Sequence, residues 1–438
     1  MTAQSPGRYD AESSYAWTRL LVSLALMTIG NSGMYTVTVV LPRLQSEFGV
    51  TRADASLPYT LTMIGFGVGG IMMGRLSDRF GVMIPVMIGA VGIGLGYIGA
   101  GYAGSLLLFS LAQGILMGLL GTSATFAPLV ADTSRWFTRR RGIALAICMS
   151  GNYVAGAIWP PIIQHFIDGH GWRPTYIGLG MFCLVTMLPL ALLLRRRPPD
   201  VETPAIPSPI PGTTGVIPAA GVAAANATQN ADPARPLGMS PAMLQVLLCV
   251  AGLSCCVAMS MPQVHIVAYC GDLGFGAARG AEMLSLMLGM GIISRLVSGW
   301  ISDHIGGLRT LLLGSVLQGI ALLMFLPFDG LVPLYVVSAM FGLFQGGIVP
   351  SYALIVREYF TPKEAGARVG TVLMATLLGM ALGGWLSGVI FDFTGSYKAA
   401  FVNGIAFAAH KPSCCRVNMK FLAIGKHDQP YIRGQQIA

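Results

Sequence analysis

The feature that most restricts this chain is a succession of long apolar runs, each close to the roughly 20 mostly apolar residues a helix needs to cross a bilayer. Six lie near residues 17–41, 57–75, 83–101, 105–131, 143–167 and 174–194. Five more follow near 242–270, 280–301, 308–327, 331–356 and 367–391, with a shorter run over 397–409. The expected fold class is therefore an all-α membrane protein with six plus six helices. Composition agrees: 54% of residues are hydrophobic and 10% charged, whereas soluble chains carry roughly 25% charge. The 57 glycines suit helices that pack closely in lipid through small residues. The first run is too long for a signal-peptide core, so it reads as a spanning helix.

The formal charge is +9, but the basic residues are spread over short loops rather than gathered on one face, which argues for membrane topology and against nucleic acid. Lysine and arginine mark cytoplasmic loops. With the N-terminus inside, those loops hold Arg75, Arg79, Arg135, Arg139, Arg140, Arg141, Arg195, Arg196, Arg197, Arg235, Arg309, Arg357, Lys363 and Arg368. The other side receives only Arg43, Arg52, Arg173, Arg279 and Lys398. A multi-pass protein of the plasma (inner) membrane with a cytoplasmic N-terminus is expected. Residues 1–16 form a polar tail, 17–194 one helical bundle and 242–409 a second. Between them, residues 195–241 are rich in proline, alanine and glycine without periodicity and read as a disordered cytoplasmic linker. Cys148, Cys183, Cys249, Cys255 and Cys256 lie in apolar runs and read as small buried hydrophobes.

The chain repeats itself. GRLSDRFG at residues 74–81 follows the second run, and GWISDHIG at 299–306 follows the eighth. The glycines Gly74, Gly81, Gly299 and Gly306 permit close packing and tight turns. Asp78 and Asp303 can accept backbone hydrogen bonds or pair with a neighbouring basic residue. His304 stands where the first copy has Arg79, which makes the second half the weaker latch. Duplicated six-helix halves are the build of transporters made from parallel repeats.

Arg295 stands out within LMLGMGIISRLVSGW, residues 286–300. It precedes Asp303 by eight residues, a depth of roughly 12 Å at the helical rise. A charge there costs at least about 2.5 kcal/mol unless it faces a cavity or a partner. Snorkelling, a structural ion pair and a gating contact all compete with an anion-site reading. The apolar runs offer almost no carboxylate at that depth, and the matching position in the first half is Gly70. An uncompensated cation in one half only is what an anion site between the repeats would look like. Asn31, Tyr35, Asn152, Tyr153, Gln263, His265 and Gln345 are polar residues that could complete it. His265 is also a proton-coupling candidate, since imidazole titrates near neutral pH.

The paired loops, the six-plus-six spans and the central linker resemble the major facilitator superfamily. WFTRRRGIALAICMSG (136–151), MPQVHIVAY (261–269) and SRLVSGWISD (294–303) resemble its monocarboxylate transporter branch and the neighbouring oxalate/formate antiporters. The resemblance implies two six-helix bundles, a loop motif that locks the cytoplasmic gate, and a substrate-binding arginine four residues before the second motif glycine, the place of Arg295. A guanidinium fork suits a carboxylate. The sequence departs from that branch in three places. Its proton-coupling aspartate is Gly291 here, its first-helix lysine is missing, and the oxalate transporter's eleventh-helix cation has no counterpart in 369–385. One cation favours monoanions and leaves the coupling partner, a proton or a counter-anion, open.

No GxxxxGK[ST], HExxH or GxSxG motif occurs, so an enzyme and an ATP-driven pump are not expected, nor is a cofactor. The expected function is secondary transport of small organic anions by a monomer in a lipid bilayer. The rivals are a drug or sugar transporter of the same fold and a receptor that senses without transporting. The last run is too short to span before His410, Lys411 and Pro412, and residues 410–438 form an atypical basic tail, as expected of a truncated twelfth helix.

Overall fold

A computed structural model describes residues 12–137, 140–196 and 240–409. The stretches read as linker and basic tail lie largely outside them. Among the described residues all regular structure is helical, as lipid requires of a chain that satisfies its backbone within each span. Among the described residues eleven helices are long and apolar enough to cross a membrane. Large apolar side chains such as Leu107, Val185, Val316 and Val332 point outward, where only lipid would accept them in such number.

The first run is two helices. α1 (Ser14–Gly30) and α2 (Ser32–Phe48) meet at Asn31, whose side-chain Nδ2 donates to the Met27 carbonyl at 2.7 Å. That bond competes with the backbone ladder and lets the chain bend. Thr122 Oγ1 donates to the Gly30 carbonyl at 3.3 Å. After α3 (Arg52–Phe80) and α4 (Met83–Gly101), the fourth run is also interrupted. It comprises α5 (Leu106–Leu111), a π-helical stretch over Ala112–Thr122, and α6 (Ala127–Trp136). α7 (Arg141–His170) and α8 (Trp172–Leu192) complete the first six spans.

The second half repeats this plan with α9 (Pro241–Asp272), α10 (Ala277–Ile305) and α11 (Gly307–Met324). Its fourth span breaks as well, at Gly346 and Gly347, between α12 (Leu331–Gln345) and α13 (Ile348–Tyr359). α14 (Pro362–Thr394) is the eleventh span, and α15 (Tyr397–Ala409) runs to the last described residue.

Both breaks serve the same packing. A Cβ on Gly69 of α3 would lie 2.1 Å from the Leu119 carbonyl of the π-helical stretch, and one on Gly342 of α12 would lie 1.9 Å from the Met287 carbonyl of α10. In each half the second and fourth spans therefore touch backbone to backbone, as small residues allow in membranes.

The halves meet along two seams. α3 lies against α14, where Thr60 Oγ1 donates to the Ala381 carbonyl at 3.1 Å. α7 lies against α10, where Ser285 donates to the Ala157 carbonyl.

Candidate functional site

Arg295 sits on the α7–α10 seam. It is half-buried, its Nη1 donates to the Met149 carbonyl at 3.1 Å, and its guanidinium carbon lies 4.7 Å from the centroid of the Tyr153 ring. Its Nε is buried without a hydrogen-bond partner, and it forms no ion pair with a described carboxylate. A buried cationic donor left open is costly, so this group is poised for an acceptor. Asn152 precedes Tyr153 on α7, and its Oδ1 accepts a hydrogen bond from the Tyr35 hydroxyl at 3.2 Å. Tyr35 is within electrostatic reach of Tyr153, Tyr59 and Arg295. The structure thus gathers Arg295, Tyr153, Asn152 and Tyr35 between α2, α7 and α10.

Gly291, one turn before Arg295, is pressed by the same ring. A Cβ there would lie 2.5 Å from Tyr153 Cε1. The place that the resembling branch gives to an aspartate is therefore taken by an aromatic ring from the other half.

The remaining candidates are held elsewhere. Asn31 is fully buried at the α1–α2 bend with its Oδ1 unsatisfied. Gln263 Nε2 donates to Gln345 Oε1 at 3.1 Å inside the second half, and Gln345 Nε2 has no acceptor. His265 is fully buried, with Nε2 2.8 Å from the Gly384 carbonyl and Nδ1 3.1 Å from the Tyr397 hydroxyl. No hydrogen bond links it to Arg295. A carbonyl only accepts, so Nε2 carries the proton and Nδ1 accepts from Tyr397.

That tyrosine leads to a cluster which the sequence did not disclose. Arg52 Nη1 donates to the Tyr397 hydroxyl at 2.8 Å, and Nη2 pairs with Asp272 at 2.7 Å. Asp392 accepts from the backbone N–H groups of Arg52 at 2.9 Å and Ala53 at 2.8 Å, at the start of α3. A carboxylate there also opposes the positive helix end. The Arg52 guanidinium lies over Phe391, 4.7 Å from its centroid. One arginine of the first half is thus gripped by α9, α14 and α15 of the second. Its neighbours at this end, Arg43, Arg173, Arg279 and Lys398, each pair with a carboxylate too.

A second unforeseen pair is Arg19 with Asp132. Two hydrogen bonds of 2.8 and 3.0 Å join them, Arg19 Nη2 also reaches the Leu194 carbonyl at 3.1 Å, and both side chains are buried.

The duplicated loops lie at the end opposite Arg52. Gly81 and Gly306 both have φ of 84°, and their N–H groups donate to the carbonyls of Ser77 and Ser302 at 2.8 and 2.9 Å. A left-handed turn explains glycine there. Asp78 pairs with Arg135 of α6 at 3.3 Å, and Arg79 rests over Phe80. Asp303 makes no ion pair with a described residue, and His304 Nδ1 lies 2.8 Å from the Trp300 carbonyl. Close packing, expected at Gly74 and Gly299, is absent in this conformation: a Cβ at either would meet nothing within 4 Å. These glycines lie on faces that the second and fourth spans leave open.

The sequence model of the Major Facilitator Superfamily matches residues 21–332 and 283–409. The chain is 28% identical over 359 residues to monocarboxylate transporter 13 of Bos taurus, covering 81% of this chain and 76% of that protein. It is 26% identical over 419 residues to monocarboxylate transporter 11 of Homo sapiens, covering 92% and 82%. Among solved structures it is similar to an inward-facing, unoccupied bacterial homologue of the human lysosomal transporter Spinster (TM-score 0.66, 14% identity, 90% of this chain and 94% of that one). It is also similar to a peptide transporter POT mutant in complex with alafosfalin (TM-score 0.67, 15% identity, 91% and 95%). The structural likenesses speak for the fold alone.

Proposed function

The chain belongs to the Major Facilitator Superfamily, and on that premise we propose that it is a secondary transporter of small organic anions, monocarboxylates foremost, working by alternating access. Family and relatives indicate a membrane transporter rather than an enzyme. The observation that carries the substrate reading is Arg295: a half-buried cation on the seam between halves, with an orphaned Nε and no described carboxylate beside it. A substrate carboxylate supplies the missing acceptor and the missing charge. Tyr153, Asn152 and Tyr35 wall the site and offer ring and amide surface to the rest of a small molecule.

In this reading residues 17–194 and 242–409 are the two moving bundles and 195–241 joins them in the cytoplasm. The N-terminus and the Asp78 and Asp303 loops face the same side. The Arg52 cluster then closes the outer face, and Asp78 with Arg135 belongs to the cytoplasmic gate. The carrier works as a monomer in the plasma (inner) membrane.

Uptake of labelled monocarboxylates into proteoliposomes tests this. Wild-type protein should transport them, Arg295→Ala should not, and Arg295→Lys should retain a small fraction, because a point charge lacks the planar fork. Uptake unchanged by Arg295→Ala would sink the anion reading. Saturable binding without any uptake would favour a receptor.

A further inference from the structure

The first half brings three tyrosine rings to the surroundings of Arg295. Tyr35 on α2 is within electrostatic reach of Arg295, Tyr153 and Tyr59, and Tyr59 on α3 shares with Tyr153 on α7 the neighbourhood of Cys256. All three rings are buried. Elsewhere in the bundle buried rings settle against one another: Tyr97 with Tyr176 at 5.4 Å between centroids, Phe109 with Trp172 at 5.7 Å, Phe325 with Phe401 at 4.7 Å. Tyr35, Tyr59 and Tyr153 meet no other ring among the described residues. The Tyr59 hydroxyl also makes no hydrogen bond to a described residue, although a buried phenol ordinarily finds a partner. Each ring is seated on a glycine. A Cβ on Gly156 would lie 2.8 Å from Tyr35 Cζ, one on Gly384 3.0 Å from Tyr59 Cδ1, and one on Gly291 2.5 Å from Tyr153 Cε1. A side chain at any of the three would push a ring toward the centre, so the glycines keep open the space that the rings surround.

A carboxylate held by Arg295 leaves the rest of its molecule among these rings. Tyr153 already carries the guanidinium over its ring, whereas Tyr35 and Tyr59 have no such partner. A small aliphatic acid would reach the cation and leave both rings unmatched. A flat ring gains more there than its buried area alone, since offset and edge-on aromatic pairs are favoured beyond it. We propose that the substrate is an aromatic monocarboxylate of the benzoate class, its carboxylate on Arg295 and its ring between Tyr35 and Tyr59, and that Tyr59 sets the preference for a ring. This rests on the anion-site reading above and names the substrate class of that site.

The test is uptake of labelled benzoate, with labelled lactate run beside it, by the full-length protein in proteoliposomes. Only the component that Arg295→Ala removes is counted. Unlabelled benzoate, cyclohexanecarboxylate and lactate then compete for it, the first two differing in ring electrons and little in size. Benzoate should compete at about one tenth of the concentration that cyclohexanecarboxylate needs, and lactate should be weakest. Tyr59→Phe should keep that ratio, and Tyr59→Leu should bring it to within about twofold of unity. Equal competition by benzoate and cyclohexanecarboxylate in the wild type overturns the aromatic site, as does a ratio unchanged in Tyr59→Leu, and both results leave carboxylate transport intact. The wild-type ratio decides on its own where a variant does not fold. Lactate uptake without any uptake of benzoate overturns the aromatic class alone. If Arg295→Ala removes no uptake of either acid, the anion-site reading fails and this inference fails with it.

Discussion

The guanidinium of Arg295 lies over the ring of Tyr153, its central carbon 4.7 Å from the centroid, and the two residues belong to opposite halves of the protein. An aromatic face holds a cation by its ring electrons, with about 0.5 kcal/mol at exposed sites and about 2 kcal/mol when desolvated. The hydroxyl is not part of that attraction. Tyr153→Phe should therefore keep near-wild-type apparent affinity, whereas Tyr153→Ala should weaken it by roughly 2- to 30-fold. Substrate titration of uptake, with KM and maximal rate separated, checks this. Equal losses in both variants would mean that the hydroxyl, not the face, matters.

The Arg19–Asp132 pair makes the opposite kind of prediction, about stability. Both side chains are nearly excluded from solvent, at 2% and 5% exposure, so removing one partner leaves a buried charge or an unsatisfied fork. Asp132→Asn should cost about 3–5 kcal/mol, while the joint replacement Arg19→Met with Asp132→Leu should cost much less. Thermal unfolding in detergent, followed by intrinsic fluorescence, distinguishes the two. A double variant as unstable as the single one would show that the pair contributes more than mutual neutralisation.

Arg52 ties α3 to three elements of the other half. Its loss should release the closed end of the seam. In a background lacking native cysteines, Thr60→Cys lies on that seam, because Thr60 donates across it to Ala381. Its labelling by an impermeant maleimide applied from the Arg52 side should be slow, and should rise several-fold when Arg52→Ala is added. Unchanged labelling would mean that α3 and α14 hold this end shut without the arginine.

Asp329 permits a pH prediction outside the spans. The Lys398 ammonium at 2.6 Å, with help from the Tyr269 hydroxyl, holds its carboxyl below the ordinary carboxylate range. A depressed folded pKa contributes stability above the unfolded value and loses it only as pH falls through the folded one. That window lies below about pH 4. The pair is nearly half exposed, so the contribution is small. Asp329→Asn should leave any pH dependence of transport between about pH 5 and 8 untouched, and should slightly flatten the loss of stability toward acid, because the carboxyl whose protonation contributes to that loss is gone. A transport profile displaced within that neutral window would contradict this.

The spans were legible because lipid imposes one rule on every backbone group, and a run of about 20 apolar residues has one way to obey it. Their interruptions were not. Asn31 and the pair Gly346 and Gly347 fall inside runs of spanning length, and the break at each goes with a contact: the Asn31 amide on the Met27 carbonyl for one, the close approach of α10 for the other. Arg295 was visible because a lone charge in a long apolar run is conspicuous. Tyr153 was only one of seven polar candidates, since the ring that covers Arg295 comes from 142 positions earlier in the chain, between 153 and 295. Arg52 was read as a marker of topology, and its role as a latch depends on Asp272, Asp392 and Tyr397 converging from three helices, which no local pattern records.

Two of the duplicated glycines have no packing partner in this conformation. Gly69 and Gly342 are required by folding, because a Cβ at either would enter a neighbouring backbone. Gly74 and Gly299 face open space at equivalent places in the two halves. If alternating access closes that end in the other state, the empty space here is the room into which the opposite half moves. Gly69→Ala and Gly342→Ala should then fail to yield a stable protein. Gly74→Leu and Gly299→Leu should fold with near-wild-type thermal stability and yet slow transport by about tenfold or more, since a side chain blocks only the closed form. Size-exclusion profiles and uptake rates from the same preparations check both halves of the argument. Full transport by Gly74→Leu and Gly299→Leu together would show that the duplicated glycines do not take part in closing the gate.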